Sequence, residues 1–232
     1  LIVDTVVLTK GLREAELSKL LENTYRYVNI ALVNELAVFC HELGVDIWDS
    51  IDAAGTKPFG FESFYPGPGV GGHCIPIDPN YLSWIVRSLG HRFRMVELAH
   101  EVSERMPFYI AKRVQDSLNA DGKALRGSVI LLLGVTYKPN ISDQRQTPAT
   151  PLANHLLAMG AEVRFFDPYV DQVSIDGMPI LCVDDFETAV VESDMAILVT
   201  AHNEIVDSVV LQKAKKILDT RGVLSGNNVE RL

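Results

Sequence analysis

The chain has 232 residues, enough to bury at least one full core, and its 47% hydrophobic and 22% charged residues are typical of a globular protein. A formal net charge of −9 argues against nucleic acid as a partner, because such binding depends on Lys and Arg that neutralise phosphates. Three scattered cysteines favour a reducing cytoplasm over a disulfide framework, and no apolar run is long enough to cross a bilayer.

The N-terminal residues 1–7 are mostly apolar, which is typical of the last part of a β-strand that begins further upstream. They are too few and wrongly flanked to form a signal peptide. We therefore expect the chain to begin inside a larger protein whose upstream sequence has been removed.

A long helix is predicted next, from about Arg13 to Leu43, with Gly44 as its stop signal. Apolar residues recur there at helical spacing: Leu17, Leu20, Leu21, Val28, Leu32, Leu36, Phe39 and Leu43. This pattern predicts a packing spine for the first half of the chain. Asp46 is expected to cap a second helix that fades at Gly55.

A loop rich in glycine and proline follows, residues 64–82, which read FYPGPGVGGHCIPIDPNYL. Asp78 and Pro79 fit an N-cap and a first helical residue, so we expect a third helix from Asp78 to near Gly90, with Cys74 just upstream. A helix N-terminus stabilises a thiolate, so Cys74 is predicted to be a nucleophile.

The other two cysteines are predicted to be inert packing residues, because Cys40 and Cys182 lie in apolar stretches. His73 precedes the candidate nucleophile directly. Adjacent residues in an extended loop usually point apart, so we expect His73 to contact substrate or support the loop rather than act as a base for Cys74.

The first half ends with a helical stretch from about Val96 to Leu118, which Pro107 is expected to kink or break, and a polar segment at 119–123. Short apolar runs then alternate with helical ones, which predicts a parallel sheet covered on both faces. The predicted strands are Val129–Leu133, Val163–Phe166, Met195–Val199 and Ile217–Leu218, and the predicted helices are Leu152–Met159, Phe186–Glu192 and Val209–Ala214.

Ligands bind such doubly wound sheets at the carboxyl ends of the strands. The loop after the first predicted strand, residues 134–145, carries Lys138 and Arg145 on a segment restrained by Pro139. These cations suit a phosphate or a sugar acid, although a solvated charged loop is an equally good interpretation. This loop, which directly follows a predicted strand, lacks the dinucleotide fingerprint G-x-G-x-x-G.

Three motifs taken together resemble the nucleotide-sugar 6-dehydrogenases, a family that includes UDP-glucose, UDP-N-acetylmannosamine and UDP-N-acetylglucosamine dehydrogenases. They are the cysteine loop, KLLENTYR at 19–26, and YKPN at 137–140 followed by Asp143 and Arg145. The form GGHCIPID at 71–78 is more similar to the N-acetylhexosamine branch, since the glucose branch has serine before the cysteine and phenylalanine after it.

The resemblance implies an α/β architecture, with a helical central dimerisation region followed by a Rossmann-like doubly wound parallel-sheet domain. Residues 1–14 would be the tail of a missing NAD-binding domain, 15–118 the central domain with the cysteine loop, and 119–232 the UDP-binding domain. It also implies a cytoplasmic homodimer joined through the long helix, a UDP-sugar substrate, a role in polysaccharide synthesis, and no activity for this chain alone.

The implied reaction is an oxidation of the sugar C6 alcohol in two NAD-dependent steps. Cys74 would form a thiohemiacetal and then a thioester, which water hydrolyses to the uronic acid. The resemblance further implies an alkoxide-stabilising role for Lys19 and Asn23, help from Asp78 in activating water, and a cofactor contact for Arg145. The implied substrate-binding residues are Lys138, Phe64, Tyr65, Gly71 and His73.

Other interpretations remain open from the residues alone. Lys19 and Asn23 are spaced i, i+4, which an exposed polar stripe would also produce. The chain could bind and dimerise around UDP-sugars without chemistry, or use glucose rather than an N-acetylhexosamine. A cysteine hydrolase built on Cys74 and His73 lacks a third orienting residue, and a zinc site lacks a second ligand pair.

Overall fold

A computed structural model gives the structure of the protein and describes residues 3–232. The first half consists of four helices, α1 (Leu12–Leu43), α2 (Ile47–Gly55), α3 (Cys74–Ser88) and α4 (Arg94–Ala120). Helix α1 contacts each of the other three. The long helix that the sequence predicted as a packing spine is therefore present.

The buried face of α1 differs from the predicted one. Its buried residues are small or polar: Asn23, Thr24, Tyr27, Ala31, Val33, Asn34 and Ala37. Most of the larger apolar residues that defined the pattern point outward, and Leu43 is 75% exposed. Small side chains allow α3 and α4 to approach the helix closely, whereas the leucines form a separate, uncovered stripe.

The ends of α1 and α2 follow their predicted signals. Gly44 adopts the left-handed conformation, with φ of 68°, and its N–H donates to the carbonyl of His41. The side chain of Asp46 accepts hydrogen bonds from the backbone N–H groups of Trp48 and Asp49. Both helices therefore end or begin at the predicted residues.

The predicted start of the third helix was wrong, and the fourth helix is not broken at Pro107. Helix α3 begins at Cys74, so Asp78 is not its N-cap but lies one turn inside it, and Pro79 is an interior residue. Helix α4 runs unbroken through Pro107. The predicted strand at 1–7 is also absent from residues 3–7, whereas Leu1 and Ile2 lie outside the described residues.

The second half is an α/β domain whose strands and helices alternate. In chain order these elements are β1 (Val129–Leu133), α5 (Ala149–Ala158), β2 (Glu162–Phe166), β3 (Gln172–Ile175), β4 (Met178–Leu181), α6 (Phe186–Glu192), β5 (Met195–Leu198), α7 (Asn203–Val206), a 3-10 helix (Val209–Lys213), β6 (Ile217–Asp219) and β7 (Val229–Arg231). All four predicted strands are present, and the helix predicted at Val209–Ala214 is a 3-10 helix. The β3–β4 hairpin, α7 and β7 had no predicted counterpart.

The main sheet has the order β2-β1-β5-β6-β7, and every neighbouring pair in it is parallel. Strand β1 therefore has β2 on one side and β5 on the other, so the strand order reverses between β1 and β5. In doubly wound folds the crevice beyond this point is where ligands bind. The loops after β1 and β5 are the ones that open onto it.

Alternate residues of the central strands fill two cores, one on each face of the sheet. Ile130 and Leu132 lie in the core that also contains Ile110 and Val114 of α4. The C-terminal part of α4 is thus packed into the sheet domain, while its N-terminal part contacts α1 and α3. This shared helix fixes the helical half relative to the sheet.

Candidate functional site

The cysteine loop ends at the N-terminus of α3, where Cys74 is the first helical residue and is exposed. The unpaired N–H groups of a first helical turn carry partial positive charge, which stabilises an anionic side chain there. Asp78 follows four residues later, so both side chains project from the same face of α3. This face is the centre of the candidate site.

Asn23 connects this face to the long helix. Its side chain is completely buried, and Nδ2 donates to Oδ2 of Asp78 over 3.1 Å. Oδ1 of Asn23 accepts from Nη2 of Arg26 at 2.9 Å. Two residues predicted to belong to one site, but 55 positions apart in sequence, are therefore in direct contact.

Lys19 lies one helical turn before Asn23 and is exposed. Its ammonium pairs with Glu22 at 2.8 Å, and Glu22 also pairs with Arg26. The pKa of Glu22 is lowered, chiefly by the hydrogen bond from Lys19. More than half of each side chain in the Lys19–Glu22 pair is exposed, so this ion pair is weak and leaves the lysine free to turn toward a ligand.

Gly71 and Gly72 dock the cysteine loop onto the loop after β1. A Cβ on Gly71 would lie 2.6 Å from Cβ of Tyr137, and one on Gly72 would lie 2.8 Å from its ring. The N–H of Gly72 also donates to the carbonyl of Arg145 over 3.1 Å. Glycine is required here because the Tyr137 side chain occupies the space that a side chain would need.

Arg145 projects from this docked loop with 67% of its side chain exposed. Asp143 holds the guanidinium through Nε and Nη2, and this hydrogen bonding is the main reason that the pKa of Arg145 is raised. Arg145 is joined to the cysteine loop through its carbonyl, which accepts the N–H of Gly72, two residues before Cys74.

Lys138 is exposed on the same loop, at the carboxyl edge of the sheet. Its carbonyl accepts a hydrogen bond from Oγ1 of Thr136 at 3.0 Å. Thr136 in turn lies 3.0 Å from Nε2 of His202, which is fully buried after β5. Sequence reasoning missed His202, although polar residues directly after a buried strand were a signal for it.

Phe64 and Tyr65 anchor the start of the cysteine loop to the helical half. Tyr65 stacks on Trp48 with ring centroids 5.6 Å apart, and its hydroxyl donates to Asp52 over 2.7 Å. Phe64 meets Tyr25 edge to face at 5.7 Å. The structure thus gives both aromatic residues an anchoring contact, and their predicted substrate contact stays a prediction. His73, at the N-cap of α3, is exposed.

Arg221 is a second residue that sequence reasoning missed. It follows β6, its Nε donates to the carbonyl of Val199 at 2.7 Å, and desolvation lowers its pKa to about 10. Its guanidinium also lies against Gly67 of the cysteine loop. The loops after β1 and β6 therefore both meet the cysteine loop, each through a glycine.

Several other expectations concern residues outside this centre. Cys40 and Cys182 are free, partly buried and packed against core clusters, and burial raises the pKa of the Cys182 thiol. Within residues 3–232, no cluster of three or more His, Cys, Asp and Glu side chains could hold a metal ion. The same residues include no helix long and apolar enough to span a membrane.

These features define a class of protein: a doubly wound α/β domain of the nucleotide-binding type, joined to a helical unit that presents an exposed cysteine at the ligand edge. Sequence profiles of the UDP-glucose/GDP-mannose dehydrogenase family match both parts. The central-domain profile covers residues 13–105 and the UDP-binding-domain profile covers residues 131–226. The chain belongs to this family.

Individual relatives agree with this assignment. A UDP-N-acetyl-D-mannosamine dehydrogenase of Methanococcus maripaludis is 36% identical over 221 residues, covering 92% of this chain and 49% of that protein. An NDP-N-acetyl-D-galactosaminuronic acid dehydrogenase of Ralstonia solanacearum is 33% identical over 222 residues, covering 94% and 50%. The chain therefore spans about half the length of the curated relatives that it matches.

Among solved structures, the UDP-D-ManNAc dehydrogenase of Pyrococcus horikoshii superimposes with a TM-score of 0.85 and 30% identity. The match covers 99% of this chain and 54% of that one. The fold predicted from the sequence, a helical unit followed by a parallel sheet, is thus confirmed, and a dehydrogenase of known structure shares it.

Proposed function

We propose that this chain is the central and UDP-binding part of an NAD-dependent nucleotide-sugar 6-dehydrogenase. The observation that carries the proposal is the Asn23–Asp78 hydrogen bond. It sets the polar face of α1 against the helix that begins with Cys74, which assembles a nucleophile, a carboxamide and a carboxylate in one place.

In this proposal the substrate's C6 alcohol is oxidised to an aldehyde, and the Cys74 thiolate attacks the aldehyde carbon. The new C–S bond gives a thiohemiacetal, whose oxidation leaves a thioester on Cys74. Water then attacks the thioester carbon, the C–S bond breaks, and the uronic acid leaves as the thiolate is regenerated. Cysteine suits both steps because its thiolate is a strong nucleophile and a good leaving group.

Asn23 and Lys19 would stabilise negative charge on the reacting oxygen. Asp78 and Arg26 already orient the buried Asn23 amide, whose second Nδ2 hydrogen would donate to a developing alkoxide once the substrate opens access to it. Lys19 would leave its exposed pairing with Glu22 to do the same. Asp78, one turn from Cys74, would position the hydrolytic water.

The residues described here fit part of a cofactor site. Arg145 is an exposed cation near Cys74, suited to a dinucleotide phosphate. NAD, when bound, supplies the hydride acceptor for each of the two oxidations. Because the loop after β1 lacks G-x-G-x-x-G and the relatives are about twice as long, we propose that a further domain of the whole protein completes the cofactor site and that this chain alone is inactive.

The UDP part of the substrate would bind at the carboxyl edge of the sheet, with Lys138 contacting the sugar or phosphate side. This placement follows the general rule for doubly wound sheets, and the UDP-binding-domain profile over 131–226 supports it. Gly71, packed against Tyr137, would hold the cysteine loop beside the substrate, while His73, Phe64 and Tyr65 would border the sugar.

The proposed substrate is a UDP-N-acetylhexosamine such as UDP-N-acetylmannosamine or UDP-N-acetylglucosamine. The GGHCIPID form of the cysteine motif supports it, and so do the names of the relatives. UDP-glucose is the alternative. The uronic acid product would enter polysaccharide synthesis in the cytoplasm.

A homodimer is proposed through the long helix. The apolar stripe of α1, which we define as Leu17, Leu21, Leu32, Leu36, Phe39 and Leu43, sets exposed large apolar side chains on one face of the helix, and contiguous apolar surface of this kind is typical of interaction sites. Beside it, a groove of about 600 Å³ between α1 and α4 carries both acidic and basic side chains, including Glu35, Glu42, Arg105 and Lys112. A surface with both signs of charge can pair with its own copy across a two-fold axis.

The test counts NADH formed per UDP-sugar consumed by the full-length protein that contains this chain, across a panel of UDP-hexoses and UDP-N-acetylhexosamines. We expect two NADH per sugar. Cys74→Ser should abolish complete turnover while UDP-sugar still binds, whereas Cys40→Ser, the matched control, should retain activity. Unchanged turnover in Cys74→Ser would contradict the thioester mechanism. UDP binding without any NADH would instead indicate a binding module.

A further inference from the structure

A polar cluster lies at the base of the loop that carries Lys138. We call it the His202 cluster, and it consists of three buried residues, Thr136, Asp167 and His202, together with Asn140, an exposed residue of the loop whose backbone N–H donates to His202. These residues follow three different strands, because Thr136 and Asn140 come after β1, Asp167 after β2 and His202 after β5. Thr136 and His202 are completely buried, and Asp167 is 4% exposed. The cluster therefore joins the ends of the strands on both sides of the point where strand order reverses.

The hydrogen bonds of His202 fix its tautomer. The backbone N–H of Asn140 donates to Nδ1 over 2.9 Å, so Nδ1 is an acceptor and carries no proton. Nε2 then carries the proton and faces two acceptors, Oδ2 of Asp167 at 3.1 Å and Oγ1 of Thr136 at 3.0 Å. Since the Thr136 hydroxyl donates to the carbonyl of Lys138, its oxygen is available to Nε2.

The backbone beyond Lys138 is held in an unusual conformation. Asn140 has φ of 61°, in the left-handed region of backbone conformation that residues other than glycine seldom adopt. Two contacts hold it there, the N–H bond to His202 and the acceptance by its Oδ1 of the N–H of Asn203 at 3.0 Å. The loop is thus fixed at the carbonyl of Lys138 and again two residues later at Asn140, while the lysine side chain itself stays exposed.

We propose that His202 is a positioning residue for the nucleotide site, which acts by fixing the direction in which Lys138 leaves the sheet edge. The inference rests on the proposed function, in which Lys138 contacts the UDP-sugar. A cation on a mobile loop must be ordered when it binds a diphosphate, and that ordering weakens binding. A loop fixed in advance by buried hydrogen bonds avoids the loss.

Two substitutions test the hydrogen bonds of the two ring nitrogens of His202 separately. In His202→Asn the carboxamide oxygen can replace Nδ1 and accept from Asn140, whereas in His202→Gln the longer amide reaches toward Asp167 and leaves the Asn140 N–H unpaired. UDP binding to the full-length protein that contains this chain is measured by titration calorimetry, and the melting temperature of each variant is recorded beside it. We expect a Kd raised about tenfold in His202→Gln, the order of effect of losing one orienting hydrogen bond, and a smaller rise in His202→Asn.

Ser193→Ala is the matched control, because Ser193 is also buried and its Oγ donates to the carbonyl of Val190 over 2.9 Å, before β5 begins. This variant should melt at a lower temperature and bind UDP with unchanged affinity. If His202→Gln fails to fold, Thr136→Val removes the neighbouring hydroxyl at nearly constant shape and should weaken UDP binding in the same way.

A double-mutant cycle with Lys138→Ala distinguishes positioning from a general structural role. If His202 acts through Lys138, the double variant should bind UDP no more weakly than Lys138→Ala alone. Additive losses, or a normal affinity in His202→Gln beside a weakened Lys138→Ala, would overturn the inference and leave the proposed function standing. An unchanged affinity in Lys138→Ala would overturn the inference together with the proposed role of Lys138.

Discussion

The contact between Gly71 and the loop after β1 can be tested by adding a single methyl group. In Gly71→Ala the new Cβ would lie 2.6 Å from Cβ of Tyr137, 2.9 Å from the carbonyl oxygen of Gln146 and 3.2 Å from Cδ of Pro148. All of these atoms belong to the backbone or are fixed close to it. None can turn away without moving the main chain.

Overpacking of this kind costs about 1–3 kcal/mol of unfolding free energy. In a chain of this size each kcal/mol lowers the melting temperature by roughly 2–4 °C, so a cost of about 2 kcal/mol corresponds to a decrease of about 4–8 °C. Gly67→Ala, in the same loop, is the matched control, because its Cβ would meet only the end of the Arg221 side chain closely, at 2.9 Å from Nη1. That guanidinium can shift, so the decrease should be under about 3 °C.

The assay combines thermal melting of both variants with turnover of the full-length protein that contains this chain. If the loop instead separates to relieve the clash, the bond from the Gly72 N–H to the Arg145 carbonyl is lost and turnover should fall more than stability. A Gly71→Ala protein that melts and turns over like the wild type would refute the reasoning that this contact fixes the cysteine loop.

Two further predictions concern ionisation and assembly. Burial raises the pKa of Tyr27 from 10.0 to about 12, so its phenol stays protonated in the folded state at pH values where it ionises in the unfolded chain. Stability should therefore fall by about 2–3 kcal/mol between pH 10 and 12, and Tyr27→Phe should lose less in denaturant titrations across that interval; equal losses would contradict the prediction. Phe39→Glu, in the α1 stripe, should convert a dimer to a monomer in light scattering, whereas Phe59→Glu, at a more exposed phenylalanine outside the stripe, should leave the dimer intact. A wild-type chain that is already monomeric would contradict the proposed interface.

Sequence patterns predicted the elements well where one local signal was sufficient. Gly44 and Asp46 have the predicted helix-terminal roles because their conformations depend on neighbouring residues only. The start of α3 was misplaced because Asp78 and Pro79 form an equally good local N-terminus, and Pro79 usually opens a helix rather than lying inside it. Contact with Asn23 gives Asp78 a tertiary partner that the local pattern could not reveal.

The candidate site was predicted only in part for the same reason. Asn23, Cys74 and Asp78 were found as motif residues, and the structure brings Asn23 and Asp78 together. His202 and Arg221 escaped notice because their importance comes from the order of the strands, which sets the ends of β5 and β6 beside the cysteine loop and the loop of Lys138. Strand order depends on long-range pairing between strands. Hydrophobic periodicity indicates where a strand lies but not which strands are its neighbours.

The separation of roles between the two halves of the chain has a mechanistic consequence. Cys74 belongs to the helical half, whereas Lys138 belongs to the sheet domain. Under the proposed function, a UDP-sugar held at Lys138 would reach the Cys74 thiolate only if the two halves kept a fixed relation. The core shared through α4 and the glycine contacts with Tyr137 maintain that relation. Binding energy from the UDP part can then be used to orient a distant sugar carbon, so weakening the contact between the halves should lower turnover more than UDP affinity.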